Sequence, residues 1–183
     1  MTSQPRDREP ANAPLSRARV PVSLVAGRTE AVFTWVGDRW RHRVSIEGRL
    51  LGVSLEGAED GRDAAWPASP PLVEISVATL PGGPAVLAVG QAGRSHYSAS
   101  FTPHPLEPDT LLVDAACRVR DRPMWLGTTY AVGGETVRID AGPLDAGSIA
   151  PAPGAAFPAT IRWVYTLGPA GIRIVDHAAR GRG

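Results

Sequence analysis

From Val20 onward the chain runs in short stretches of alternating apolar and polar residues, each closed by glycine or proline. In one stretch His96, Ser98 and Ser100 take one side, and Tyr97, Ala99 and Phe101 take the other. In the next, Leu111, Val113, Ala115, Cys117 and Val119 oppose Asp114, Ala116 and Arg118. A period of two marks a half-buried strand, because successive side chains leave opposite faces of a sheet. The same reading predicts strands over Val22–Ala26, Ala31–Val36, Arg39–Glu47, Leu50–Leu55, Leu72–Thr79, Ala85–Val89, Ser95–Thr102, Leu111–Val119, Leu126–Val132, Thr136–Asp140, Thr160–Leu167 and Ile172–Asp176. No window of a dozen residues carries a 3.6-residue period. The expected fold is therefore all-β: a single-domain antiparallel β-sandwich or a closed β-barrel of about 10–12 strands, with little or no helix.

The punctuation places the turns. Gly133-Gly134 stands between two strand patterns as a two-residue hairpin whose central positions take positive φ. Gly168 to Gly171 closes a second hairpin. Glu56–Pro71 and Gly142–Pro158 are long connections, of a length that often marks lids or mobile loops. Residues 1–19 mix Pro, Arg, Asp, Glu and Ser without periodicity and read as a disordered N-terminal arm. Residues 20–177 form the single all-β domain, and 178–183 a flexible tail.

Composition narrows the chemistry. The 183 residues suffice for one domain with a real core, and a net charge of +1 argues against a dedicated nucleic-acid or membrane-surface protein. All nineteen basic residues are arginine. The absence of lysine, which codon bias of a GC-rich genome explains, excludes a Schiff-base or phosphate-loop lysine. Cys117 has no partner for an internal disulfide, and it lies on the apolar side of its strand as a small hydrophobe. No apolar leader segment and no membrane-length apolar run is present, so the expected location is cytoplasmic.

The stretches AGRSHYSAS, DAACRV and LGTTY resemble the pattern AGxSH[WY]SxS, DxACRV and LG[ST]TY of an uncharacterised bacterial protein family. DRWRHRVSIEG and WPASPPLVEIS are similar to the same family, so the resemblance covers roughly Val32 to Tyr130. That family has no assigned activity, and the resemblance implies no catalytic residue.

Candidate chemistry concentrates on one sheet face. If Pro103–Thr110 joins antiparallel neighbours, Ser98 is expected opposite Asp114, with His96 near Ala116. A tight connection through Asp121–Pro123 would set Thr129 beside Ala116, and the Gly-Gly hairpin would set Arg138 beside Thr129. The resulting ligand-facing patch is His96, Ser98, Ser100, Asp114, Arg118, Thr129 and Arg138. Three readings compete for it. His96, Ser98 and Asp114 supply the residue types of a base, a nucleophile and an orienting acid, but lie on no strained elbow that would expose the serine. His42, His96 and Asp114 supply a two-histidine, one-carboxylate metal set, without the close spacing that anchors two ligands on one element. The plain reading is the solvated side of an antiparallel sheet, carrying ordinary cross-strand polar pairs. Arg39, Arg41 and Arg43 likewise alternate away from Trp40, His42 and Val44 and read as a solvated face.

No cofactor fingerprint is present and no cofactor is expected. The sequence favours a non-enzymatic binding or interaction module whose partner is a protein or a small-molecule ligand, with homodimerisation an open option. The alternatives are a lipocalin-like small-ligand carrier, and an enzyme or metalloprotein using the face of His96, Ser98, Asp114 and Arg118.

Overall fold

The computed structural model describes residues 19–55, 66–140 and 157–175. All twelve expected strands are there: β1 (Val22–Ala26), β2 (Thr29–Val36), β3 (Arg39–Ile46), β4 (Arg49–Ser54), β5 (Glu74–Leu80), β6 (Gly83–Ala92), β7 (Ser95–Pro103), β8 (Leu111–Val119), β9 (Gly127–Val132), β10 (Glu135–Asp140), β11 (Ala159–Gly168) and β12 (Gly171–Ile174). They form two six-stranded antiparallel sheets, in the orders β1-β2-β3-β4-β9-β10 and β12-β11-β8-β7-β6-β5. Each sheet is a four-stranded meander extended by a later hairpin that docks on its fourth strand. The sheets stay open and pack face to face, so the fold is a sandwich and not the barrel.

Alternation puts one side of each strand into the interface. Tyr97, Ala99 and Phe101 of β7, and Val113, Ala115 and Cys117 of β8, are buried against Leu24, Ala31, Phe33 and Trp40 of the facing sheet. Both hairpin expectations hold. Gly133 and Gly134 take φ of 56° and 90° between Val132 and Glu135, and Gly168 pairs Gly171.

Two connections depart from the sequence reading. Arg120–Leu126 does not close a hairpin between neighbours. It crosses from one sheet to the other, with Pro123 and Leu126 buried, because β11 already occupies the free side of β8 along nine residue pairs. The second is the start of β5. Leu72 bridges Trp40 of the first sheet, whose N–H donates to the Leu72 carbonyl at 2.7 Å, and the chain passes to the second sheet at the next residue, where Val73 N–H donates to the Val89 carbonyl at 2.9 Å ahead of β5. At this crossing the Pro71 backbone lies directly on Gly90, where a Cβ would sit 1.5 Å from the Pro71 oxygen. The described part of the long connection, Trp66–Pro71, is thus inserted in the fold, with Ser69, Pro70 and Pro71 buried. Arg19, assigned to the arm by composition, lies over Trp35 at 3.3 Å and donates to the Val73 carbonyl. The remainder of the arm, residues 56–65 and 141–156 of the two long connections, and the tail lie outside the described residues.

Candidate functional site

Five of the seven patch residues share one surface. His96, Ser98 and Ser100 of β7, and Asp114 and Arg118 of β8, leave the outer face of the second sheet, opposite to the buried Tyr97, Ala99, Ala115 and Cys117. Their partners are not those expected. His96 pairs Arg118, Ser98 pairs Ala116, and Ser100 pairs Asp114. The register slips by two residues, an even number, so the face survives while every partner changes. The cause is the β7–β8 loop. His104 N–H donates to the Thr110 carbonyl at 2.8 Å, and Asp109, at φ 59°, turns away to receive the Arg28 N–H (2.8 Å) and Nε (2.9 Å).

Thr129 and Arg138 belong to the other sheet. They pair with each other as the Gly-Gly hairpin implies, but Thr129 is buried, with its hydroxyl donating to the Ala68 carbonyl, and Arg138 lies over Trp125 at 5.0 Å. The residue beside Ala116 is Arg162 of β11. Its Nε donates to Asp114 at 2.6 Å and its Nη2 to the other carboxylate oxygen, a bidentate pair that raises the Arg162 pKa. Arg162 escaped the sequence reading because it is remote in the chain; its place in an alternating strand was the only available signal.

The spacing keeps the hydrolytic set apart. Asp114 sits level with Ser100, four residues along β7 from His96, or about 13 Å at the usual strand rise. The metal set is divided by the sheet itself. His42 is 3% exposed between the sheets, whereas His96 and Asp114 point outward. Among the described residues no three His, Cys, Asp or Glu side chains gather as metal ligands.

His42 instead heads a buried polar chain. Its Nε2 is 2.8 Å from the Tyr130 hydroxyl, which is 3.1 Å from the Tyr165 hydroxyl of the opposite sheet. Phe33 and Phe101 pack on the imidazole. Trp163 Nε1 donates to Thr128 Oγ1 at 2.9 Å, a second polar tie between the sheets. A void beside this chain, bounded by His42, Leu72, Ala99, Ala115 and Tyr165, gives a water centre about 10 Å³ to occupy, room for one molecule. That is far below the hundreds of Å³ a carried ligand needs. Cys117 behaves as expected: fully buried, its thiol is pushed up to about 11 by desolvation, with contacts to Tyr97 and Ser95 pulling the other way.

Among the described residues, the least protected surface is an edge. Four strands end the two sheets: β1, β10, β5 and β12. β10 carries Glu135, Arg138 and Asp140; β12 has four residues and includes Arg173; β1 has five and follows Pro21. Charge, shortness and proline are the usual guards of a sheet edge. β5, Glu-Ile-Ser-Val-Ala-Thr-Leu, is the longest of the four and has only Glu74, at its first position, as a charge. Val77 is 64% exposed, and Val73, Leu80 and the adjacent Val89 of β6 are also exposed. Val77 lies on the same sheet face as the core residue Val86, its cross-strand partner. Its alternation reads as a strand in sequence; its place at an edge does not.

No helix among the described residues is long and apolar enough to cross a membrane. Compared with known proteins, the chain matches no family model, no curated protein and no solved structure.

Proposed function

We propose that this protein is a non-enzymatic interaction module that binds a partner by adding an extended segment to the β5 edge. The observation that carries the proposal is that edge: seven residues with no charge after Glu74 and Val77 exposed at its centre. In strand addition, backbone hydrogen bonds supply affinity, and alternate side chains of the incoming segment supply specificity. Val77, with Ile75 and Thr79 on the same face of β5, would meet alternate side chains of that segment.

Selection of peptides from a random display library on the immobilised protein tests this. The selected peptides should show period-two apolar patterns without central proline, and should lose binding to Val77→Lys. N-methylation of alternate backbone amides should abolish binding in one phase and spare it in the other, because a strand directs alternate N–H groups toward its neighbour. Peptides that tolerate methylation in both phases, or bind Val77→Lys as well as wild type, would overturn the reading.

A further inference from the structure

We infer that the segment the β5 edge accepts is the β5 of a second copy of this chain, giving a two-fold dimer in which the second sheets of the two copies become one. This rests on the strand-addition reading and names its partner.

The edge is self-complementary. In an antiparallel pairing centred on Val77, Val77 meets Val77 of the second copy, Ser76 meets Ala78, Ile75 meets Thr79, and Glu74 meets Leu80. Each copy thus covers the valine that its own fold leaves 64% exposed. Charge permits the arrangement. The single charged side chain of β5, Glu74, falls at opposite ends of the pairing, so the two carboxylates stand about 20 Å apart, beyond the screening length at physiological salt. None of the other three edges offers this combination: β10 would oppose like charges in several registers, while β1 and β12 are shorter.

Size sets the strength. Seven residues make an edge about 23 Å long in a layer on the order of 10 Å deep. The joined surface is only about 230 Å² on each copy, roughly 500 Å² in total, below the size of standard specific interfaces. The dimer is therefore weak and concentration-dependent. It also closes, because an isologous edge-to-edge contact consumes the edge in both copies and leaves no β5 to recruit a third.

Sedimentation of the full chain over a wide concentration range gives the first readout. Wild type should pass from one-chain to two-chain mass with no larger species, and Val77→Lys should remain at one-chain mass throughout. The second readout is a Val77→Cys variant, treated with oxidised glutathione. At a two-fold axis, the paired Cα atoms fall within the 4.4–6.8 Å range that a disulfide spans, so a covalent dimer should form. Val89→Cys, similarly exposed but one strand inside, should form none; buried Cys117 adds no background. Wild type at one-chain mass at every concentration, a Val77→Lys dimer, open-ended aggregation or equal cross-linking at position 89 would each overturn the inference. A monomer that still binds strand-like peptides defeats self-pairing and leaves strand addition standing; a monomer that binds none defeats both.

Discussion

Replacing Gly90 by alanine adds one methyl group to a buried strand, and the expected result is a large loss of stability. The new Cβ would lie 1.5 Å from the Pro71 oxygen and 2.7 Å from its carbonyl carbon. Ordinary C···O contacts begin near 3.3 Å, so the crossing segment must withdraw by roughly 2 Å. Two backbone hydrogen bonds flank the contact, Val73 N–H to the Val89 carbonyl (2.9 Å) and Trp40 N–H to the Leu72 carbonyl (2.7 Å). At about 1 kcal/mol net each, their loss accounts for about 2 kcal/mol. Partial withdrawal of Leu72, now 2% exposed, adds a further 1 kcal/mol or so. A total near 3 kcal/mol corresponds to a fall of about 6–12 °C in Tm for a domain of this size. Urea unfolding followed by tryptophan fluorescence measures it directly. Gly82 supplies the matched comparison, because a Cβ there meets nothing within 4 Å. Gly82→Ala should be neutral or stabilising by about 0.4–1 kcal/mol, through the loss of freedom in the unfolded chain. If Gly90→Ala unfolds within about 0.5 kcal/mol of wild type, the close approach of Pro71 is not a feature of the folded protein, and the reasoning fails.

Tyr130→Phe removes the hydroxyl that links His42 to Tyr165 in the buried chain and should cost about 1–3 kcal/mol, whereas Tyr165→Phe removes the longer bond to Tyr130 and should cost about 0.5–1.5 kcal/mol in the same unfolding assay. The Cys117 thiol, raised from 9.0 to about 11 by burial, favours the folded state below pH 9; that contribution is lost as pH rises through 11, so stability should fall over this window in wild type and fall less in Cys117→Ala. Thiol-reagent labelling of the native protein at pH 8 should accordingly proceed only at the rate of unfolding. The Arg28 backbone N–H and guanidinium hold the Asp109 carboxyl below its usual range, so the attachment of the β7–β8 loop to Gly27-Arg28 is complete above pH 4 and lost as pH falls below it. Amide exchange at Arg28 should rise in acid, and Asp109→Ala should show the fast exchange at every pH.

The twelve strands, their buried faces and the glycine hairpins were legible in the residue pattern, because these depend on steric and solvation rules that act over a few residues. The side chain of every second residue faces the core regardless of which strand lies alongside. That is why His96, Ser98, Ser100, Asp114 and Arg118 share a surface even though each pairing on it was displaced. What lies across from what was set by the packing of distant segments. Loop closure at His104 shifted β7 against β8 by two residues, and the occupation of the β8 edge by β11 sent Thr129 and Arg138 to the other sheet. Packing also brought Arg162 to Asp114 from 48 residues away. His42 was readable as inward-facing, but its link through Tyr130 to Tyr165 joins three strands and both sheets. The edge position of β5 is of the same kind. Pairing energy is carried by backbone groups common to all residues, so local sequence specifies that a strand exists and which way it faces, while the packing of the whole chain selects its neighbours and which strands end a sheet.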